Sequence, residues 1–148
     1  MRILEHLEIK VATTEDLTAL EKVGERLFDY PIKKERTVEF LSDPRHHLVL
    51  AYDGIQLVGM ASGFHYVHPD KDPQLFVNEV SVLEGYRNRG IGRRLVQFLV
   101  KEGQRLGCVE AWVATEKSNR AAQKAYLAAG GTESRERVVL YGFAMVKS

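Results

Sequence analysis

Cysteine is almost absent from this chain of 148 residues, which contains only Cys108. A lone cysteine excludes an internal disulfide framework and any CxxC zinc or redox motif, and it favours a reducing compartment. The chain also lacks an apolar run near the ~20 residues that cross a membrane. Its first residues carry charges throughout, without the apolar stretch of a signal peptide. These absences predict a cytoplasmic protein with no membrane segment.

An excess of charge of one sign is missing too. The chain has 21 Lys and Arg against 20 Asp and Glu, which gives a formal net charge of +1. Nucleic-acid-binding domains normally need a strongly basic face, so we expect no nucleic-acid partner. The length and ordinary composition, without a linker, repeat or low-complexity tract, predict one domain over residues 1–148.

The spacing of apolar residues predicts the order of elements. A strand over 7–13 precedes a helix that starts at Thr13 or Thr14 and reaches about Phe28. Asp53 and Gly54 separate two apolar runs, which favours a hairpin. The order predicts a mixed α/β sheet with helices packed on it. The other predicted elements are a helix over 33–42, hairpin strands over 47–52 and 56–67, a loop over 68–74, a strand over 75–83, a helix from 91 to about 106, a strand over 108–115, a helix over 119–129 and a last strand over 138–146.

Two glycines stand among arginines in YRNRGIGRRL, residues 86–95. Glycine costs about 1 kcal/mol relative to alanine in a helix, so its use where a strand gives way to a helix needs a reason. The first amides of a helix lack carbonyl partners and bind anions, and Gly90 and Gly92 leave those amides open to a phosphate. The neighbouring guanidinium groups suit a ligand with several phosphates, although a solvated helix face is the alternative interpretation. They belong to Arg87, Arg89, Arg93 and Arg94.

Known phosphate motifs discriminate between interpretations of this stretch. A Walker loop, GxxxxGK[ST], is absent, and the dinucleotide pattern GxGxxG fails because Leu95 replaces its third glycine. The pattern [RQ]xxGx[GA] is matched at every position from Arg87 to Gly92. A second series, NxxAxxxYxxxG, is matched further along the chain by Asn119, Ala122, Tyr126 and Gly130.

With these two motifs the chain resembles the GNAT superfamily of acetyl-CoA-dependent N-acetyltransferases, from about residue 47 to residue 146. The resemblance implies the GNAT fold, a central, mostly antiparallel sheet of six to seven strands flanked by about four helices. It also implies acetyl-CoA as co-substrate, without a metal. The family's cofactor contacts then fall on Arg87, Asn88, Arg89, Gly90, Ile91, Gly92 and Arg93 for the pyrophosphate, on the backbone of Val80, Ser81 and Val82 for the pantetheine arm, and on Asn119 and Tyr126 near the thiol.

Two longer strings, NEVSVLEGYRNRGIG and AWVATEKSNRAAQKAY, look similar to aminoglycoside acetyltransferases that modify the 3-amino group. Those enzymes carry acids at the positions of Glu79 and Glu116. The resemblance therefore implies that both carboxylates contact the substrate. One departure from the family is Gly131, where an aromatic residue is usual.

Acetyl transfer to an amine sets the chemical requirement. An amine with a pKa of ~10.4 is mostly protonated at neutral pH, and removing its proton costs about 4 kcal/mol. Forming the thiolate of a leaving group whose thiol pKa is near 8.5 costs only about 2 kcal/mol. A base is therefore the larger need. Strand alternation places Glu79 on the same face as Val77 and Ser81, among apolar neighbours that raise a carboxyl pKa. We expect Glu79 to accept the proton through water and Tyr126 to hydrogen-bond the departing sulfur. The alternatives are an ion pair or solvent exposure for Glu79, and core packing for Tyr126.

Other reactive or aromatic side chains have simpler explanations. Cys108 starts an apolar strand and is interpreted as a core residue rather than an acetyl carrier. Trp112 lies within the same strand and is interpreted as core rather than as a substrate platform. His46 and His47 point to opposite faces if they begin a strand. A substrate-facing or solvated loop is preferred to a metal site for the set His65, His68, Asp70 and Asp72.

The predicted function is acetyl transfer to a primary amine of a small cationic acceptor, such as an aminoglycoside or a polyamine-like molecule. Acids at Glu79, Glu116, Asp70 and Asp72 would attract such an acceptor. A non-catalytic CoA-binding sensor or partner subunit, and a protein or peptide N-acetyltransferase, remain as alternatives. A homodimer is a further expectation, because a last strand over 138–146 would leave a sheet edge for a second copy.

Overall fold

A computed structural model describes residues 6–147, so the first five residues and the last one of the predicted domain lie outside the described residues. Within this range no helix combines the length and the apolar character needed to cross a membrane. The elements are β1 (Leu7–Val11), α1 (Leu17–Val23), α2 (Lys34–Ser42), β2 (His46–Asp53), β3 (Gln56–His68), β4 (Lys71–Val82), α3 (Ile91–Arg105), β5 (Glu110–Val113) and α4 (Arg120–Ala128).

The five strands form one sheet in the order β1-β2-β3-β4-β5. The first four pair antiparallel, and β5 pairs parallel to β4. A parallel pair needs a crossover, which α3 supplies between these two strands. The mixed α/β class with four helices is confirmed, with one strand fewer than the lower end of the predicted range.

Helices cover both faces of the sheet. A side chain at Gly59 in β3 would lie 3.0 Å from a methyl carbon of Leu95, so the Gly59 face packs on α3. On the opposite face His46 stacks on Phe40 of α2, with the ring centroids 5.0 Å apart. Coverage on both sides explains the nearly continuous apolar runs in β2 and β3, whose central residues are buried.

The first predicted helix is shorter than its apolar spacing suggests. Gly24 has a φ of +46°, a backbone conformation that interrupts α1 after Val23. A short 3₁₀ turn over Gly24–Arg26 then keeps Leu27 in the core. Tertiary burial thus preserves the apolar face while the helix itself ends early.

The predicted loop over 68–74 is wrong, because β3 and β4 continue almost to a tight turn at residues 69 and 70. Tyr66 donates a hydrogen bond to Gln74 across this extension, at 3.0 Å. Pro73 is tolerated in β4 near a shift in strand register, where a missing N–H does the least damage. Pro69 and Pro73 therefore mark a turn and an irregular strand rather than a loop.

The predicted last strand over 138–146 is also wrong, since these residues have no regular secondary structure. A strand exists only where a neighbouring backbone accepts and donates its hydrogen bonds. Within residues 6–147 the backbone of this segment bonds to no other strand. The apolar sequence pattern thus indicates a capacity for pairing that one chain leaves unused.

A buried carboxylate joins the start of α1 to the sheet. Asp16 is 6% exposed and completes a capping box with Thr13, whose backbone N–H donates to it at 2.8 Å. Tyr52 of β2 donates to the same carboxylate at 2.7 Å, and the Lys10 ammonium of β1 lies 3.1 Å away. Burial opposes ionisation, but these hydrogen bonds outweigh it and lower the pKa of Asp16 below its ordinary value.

Tyr52→Phe is expected to destabilise the fold by about 2 kcal/mol at neutral pH, because the buried carboxylate loses a charged hydrogen bond. The pKa of Asp16 is lowered in the folded state, so its stabilisation is present above the ordinary carboxyl pKa of about 3.9 and is lost as the pH falls through the folded-state value. The difference between variant and wild type should therefore shrink in acid. Urea unfolding at several pH values measures it, and the exposed Tyr30→Phe is the matched control. Equal loss in both variants would contradict this role of Asp16.

Candidate functional site

A bulge interrupts β4 in the middle of the sheet. Ser62 of β3 pairs with Glu79 and Gly63 pairs with Val77, which leaves Asn78 as an extra residue. A side chain on Gly63 would lie 2.5 Å from the carbonyl oxygen of Phe76, so only glycine allows this approach of the two backbones. The glycine therefore permits the irregular pairing beside it.

β4 and β5 separate at the same level. β5 pairs with β4 only over residues 74–77, opposite Glu110–Val113. From Asn78 to Val82, β4 keeps β3 as a neighbour and has no strand on its other side among the described residues. The second half of β4 thus presents an open backbone edge.

Two hydrogen bonds show which backbone groups face this open edge. The N–H of Leu83 donates to Val58 of β3 at 2.9 Å, whereas the carbonyl of Val82 accepts from Arg87 Nε at 3.0 Å, away from β3. Successive residues of a strand alternate in the direction of their backbone groups. Val80 and Val82 therefore face the open side, and Ser81 faces β3.

The loop after β4 leads into α3 with unpaired amides. Asn88 and Gly90 have φ values of 63° and 80°, a region that favours glycine and tolerates asparagine. The first hydrogen bond of the helix runs from Arg94 to the carbonyl of Gly90 at 3.1 Å. No side chain caps the helix, and within residues 6–147 the amides of residues 91–93 find no acceptor. A helix start of this kind attracts anions.

Space and charge surround these amides. A side chain on Gly92 would come no closer than 4.0 Å to Ala125 and Val82, so the protein itself leaves room there. The Arg93 guanidinium lies 3.6 Å from where a Gly90 side chain would begin. Arg89 lies over the ring of Tyr86, 5.3 Å from the centroid. The predicted arginine cluster thus lies around the helix start, with its members exposed.

Glu79 and Val77 lie on opposite faces of the sheet, whereas strand alternation predicts the same face for both residues. Gly63, the partner of Val77, faces Leu99 of α3, with 3.5 Å between its would-be side chain and Leu99. Because Asn78 is an extra residue, Glu79 falls on the other face, together with Ser81. The prediction that Glu79 shares a face with Ser81 is therefore confirmed, and the prediction that Glu79 shares a face with Val77 is wrong.

The environment of Glu79 changes its acidity. Burial, and then the negative charge of Asp29, raise the pKa of Glu79 above its ordinary value. Asp29 itself is exposed in the segment after α1. The carboxyl groups of Glu79 and Asp29 therefore lie close enough to interact, on the sheet face that carries α1 and α2.

α4 places the second motif beside the start of α3. Ala125 lies next to Gly92, and burial raises the pKa of the adjacent Tyr126, which stays a protonated donor at neutral pH. Asn119 caps α4, because its Oδ1 accepts from the amide of Ala122 at 3.0 Å. Glu116 is exposed in the preceding loop, and its carboxylate accepts a hydrogen bond from the Ser118 hydroxyl at 3.4 Å.

An aromatic cluster continues the face that carries Glu79. Trp112 stacks on Phe76 with the ring centroids 4.4 Å apart, and its indole N–H donates to the Tyr66 hydroxyl at 2.7 Å. Phe64 contacts both Phe76 and Tyr66. The interpretation of Trp112 as a core residue is wrong, because Trp112 is 46% exposed at the edge of the sheet.

The remaining candidates are distributed over the molecule. His47 stacks on His65 on the α3 side, with ring nitrogens 2.7 Å apart, while His46 faces α2, so the prediction of opposite faces is confirmed. His65 is therefore separated from Asp70, which binds Lys71 at the hairpin turn. Cys108 is half-buried against the core, where burial raises the pKa of its thiol. A high thiol pKa disfavours the acetyl-carrier interpretation.

Three features of the site were missed from the sequence. Asp29 follows a helix in a stretch without a motif, and only folding brings it near Glu79. Asn78 gives no local signal of a bulge. Tyr86 supports Arg89 and donates to Asp53 at 2.7 Å, a contact across 33 residues. Long-range contacts of this kind have no counterpart in local spacing.

Comparison with known proteins agrees with this architecture. The profile of the acetyltransferase (GNAT) family matches residues 11–130. The aminoglycoside N(6′)-acetyltransferase type 1 of Salmonella typhimurium is 33% identical over 72 residues, which cover 49% of this chain and 49% of that protein. The chain thus spans about half the length of the curated relative it matches.

Two solved structures share the fold. One is an aminoglycoside acetyltransferase from an uncultured soil metagenomic sample, in complex with sisomicin. It has a TM-score of 0.81 at 18% identity, and the superposition covers 97% of this chain and 99% of that chain. AAC(6′)-Iy, in complex with the bisubstrate analogue CoA-S-monomethyl-acetylneamine, has a TM-score of 0.79 at 24% identity, with coverage of 95% and 100%.

The Salmonella typhimurium relative and AAC(6′)-Iy carry 6′ names, whereas the two sequence strings resemble the 3-amino subgroup. The assignment to the family does not depend on that difference, because the family profile spans most of the chain, from the last residue of β1 to just beyond α4. This chain belongs to the acetyltransferase (GNAT) family.

Proposed function

We propose that this protein transfers the acetyl group of acetyl-CoA to a primary amine of a small cationic acceptor. The observation that carries the proposal is the continuity between the open edge of β4 and the unpaired amides at the start of α3. An extended chain that ends in a diphosphate needs both features side by side. The proposed location is the cytoplasm, in keeping with the single cysteine, and the proposed unit is one domain over residues 1–148.

The residues present fit the proposed co-substrate. Backbone groups of Val80 and Val82 face the open edge and suit the amide groups of a pantetheine arm, while the Val82 carbonyl is already engaged by Arg87. The amides of residues 91–93, and the space beside Gly92, suit a diphosphate. Acetyl-CoA would supply the acetyl group as a thioester.

Two side chains perform the proposed proton chemistry. Glu79 accepts the proton of the ammonium group through a water molecule, and its raised pKa brings its basicity closer to neutral pH. Tyr126 keeps its proton and hydrogen-bonds the departing sulfur. Because a phenol is a weaker acid than a thiol, Tyr126 stabilises the thiolate without transferring its proton fully.

The acceptor class follows from charge and surface. Glu79 and Asp29 lie on the sheet face opposite α3, where they would attract a cation. The aromatic cluster around Trp112 and Phe76 continues that face and offers apolar surface to a ring. Glu116 is a further proposed contact, and aminoglycosides in the names of the similar proteins favour this class of acceptor.

Purified protein with saturating acetyl-CoA is expected to release thiol in the presence of at least one aminoglycoside or polyamine. Thiol release, followed over a panel that also includes peptide N termini, measures turnover with each acceptor. Turnover with peptides alone would contradict the small cationic acceptor and indicate a protein or peptide acceptor instead. CoA binding without any thiol release would favour a sensor.

Gly92→Ala is expected to weaken CoA binding at least tenfold, about 1.4 kcal/mol, because a methyl group would stand between the diphosphate and the helix amides. The fold should be unaffected, since the new atom meets no protein atom closer than 4.0 Å. Titration calorimetry measures the affinity, and thermal melting checks the fold. Gly85→Ala, an exposed glycine with no atom near its would-be side chain, is the matched control. Unchanged affinity of Gly92→Ala would contradict the assignment.

Glu79→Gln is expected to lower kcat about 100-fold or more and to abolish the acidic limb of the pH profile. The raised pKa of Glu79 means that activity in the wild type appears only above the ordinary carboxyl range. Tyr126→Phe should lower kcat, leave the acidic limb in place and leave the KM for acetyl-CoA unchanged. A Glu79→Gln variant with a normal acidic limb would remove Glu79 as the base, and equal kcat in Tyr126→Phe would remove Tyr126.

Asp29→Asn is an internal control for this pH profile. Removing a neighbouring negative charge lowers the pKa of Glu79, so the acidic limb should move to lower pH. The exposed Asp72→Asn should leave it in place.

A further inference from the structure

An aromatic side chain ties the loop between β4 and α3 to the hairpin of β2 and β3. Tyr86 ends a 3₁₀ turn over Glu84–Tyr86, and its backbone N–H donates to the carbonyl of Leu83 at 2.8 Å. Its hydroxyl donates to the Asp53 carboxylate at 2.7 Å. Asp53 is the last residue of β2, where the chain turns toward β3. The half-buried Tyr86 is therefore held at both ends, by the backbone of the loop and by the hairpin turn.

Two acceptors lie near the Tyr86 hydroxyl. Gln56 Oε1 is 3.3 Å from the hydroxyl oxygen, compared with 2.7 Å for Asp53 Oδ2. A phenol has one hydrogen to donate, and a hydrogen bond to an ionised acceptor is shorter and stronger than one to a neutral acceptor. Asp53 therefore receives the hydrogen. Gln56 lies opposite Asp53 in the register of the hairpin, so both acceptors belong to the same turn.

The ring of Tyr86 carries an arginine. The Arg89 guanidinium lies over this ring, with Cζ 5.3 Å from the centroid. Arg89 is exposed, and its guanidinium forms no hydrogen bond or ion pair with any residue from 6 to 147. A long side chain of this kind has many rotamers, and ordering it on a ligand costs entropy. Contact with a fixed ring lowers that cost and leaves the N–H donors of the guanidinium available.

We propose that Tyr86 is a positioning residue, which together with Asp53 holds Arg89 in place for the phosphate groups of CoA. The inference rests on the proposed function, since it needs CoA as the ligand. Donation to a carboxylate makes the phenol ring more negative, and a more negative ring attracts the guanidinium more strongly. The loop that carries Arg89 leads directly to the unpaired amides of residues 91–93, where the diphosphate is proposed to bind. A carboxylate on the hairpin thus increases the affinity for a polyanion.

The charge of Asp53 provides the first test. A carboxylate near an anion site repels the anion, so its removal by itself strengthens binding or leaves it unchanged. If Asp53 acts through Tyr86 and Arg89, Asp53→Ala should instead weaken CoA binding about three- to fivefold, the size of an exposed cation–π contact. Glu84→Ala, which removes an exposed acid from the same loop, is the matched control and should not weaken binding. Titration calorimetry with CoA at one low salt concentration measures the affinities. Asp53→Ala with wild-type or tighter affinity overturns the proposal.

A double-mutant cycle tests whether the effect passes through the guanidinium. Tyr86→Leu removes the ring and should weaken CoA binding about three- to fivefold. Tyr86→Phe keeps the ring but loses the hydrogen bond to Asp53, so its affinity should lie between those of the wild type and Tyr86→Leu. In an Arg89→Ala background, Tyr86→Leu should change the affinity by less than about twofold, because the contact is already absent. A purely structural role of Tyr86 would cost the same in both backgrounds, and equal losses overturn the proposal.

Kinetics and melting separate positioning from damage to the fold. Asp53→Ala and Tyr86→Leu should raise the KM for acetyl-CoA about three- to fivefold and leave kcat unchanged, because the phosphates lie far from the reacting thioester. Thermal melting reports whether each variant is folded, and if Tyr86→Leu does not fold, Asp53→Ala should lose its effect on CoA affinity in a Tyr86→Phe background. A lower kcat at unchanged KM, or a persistent effect of Asp53→Ala, overturns the proposal. A wild type that binds no CoA contradicts the proposed function as well, whereas a wild type that binds CoA with equal losses in the cycle contradicts the positioning role alone.

Discussion

The separation of β4 from β5 is the constraint on which the site depends. Gly63 lets the backbones of β3 and β4 approach closely, and Asn78 absorbs the mismatch as an extra residue. Because β5 stops pairing at Val77, the backbone beyond it turns from a sheet interior into an open edge. That edge runs toward the loop whose amides start α3. The bulge and the open edge thus lie at the same level of β4, next to the start of α3.

The same irregularity decides the electrostatics. By shifting the strand by one residue, the bulge moves the Glu79 carboxylate away from the α3 side and toward Asp29. The arginines remain around the start of α3. A chain with a net charge of only +1 therefore separates a cationic region, suited to a polyanion, from an acidic region, suited to an amine. Average composition conceals this arrangement, which arises from the order of strand, loop and helix.

Local apolar patterns were reliable where a partner lay close in the sequence. The hairpin of β2 and β3, the capping box at Thr13 in the 3₁₀ turn that precedes α1, and the long amphipathic α3 follow from alternation, turn chemistry and helical spacing. The motif around Gly90 indicated an anion site, and the unpaired amides there suit one. The predictions that were wrong concern residues whose surroundings depend on segments distant in the sequence. Trp112 is exposed because no strand lies beyond β5 among residues 6–147. Residues 138–146 form no strand because their backbone bonds to no neighbouring strand there.

The sequence by itself determined the mixed α/β class, the order of its main elements and the family, because periodicity and short motifs depend on neighbouring residues. Only the tertiary structure decided the face of Glu79, the proximity of Asp29 and the open edges of β4 and β5. Strand register and edge occupancy result from contacts between segments far apart in the chain, and a one-residue bulge reverses a face without changing the apolar pattern.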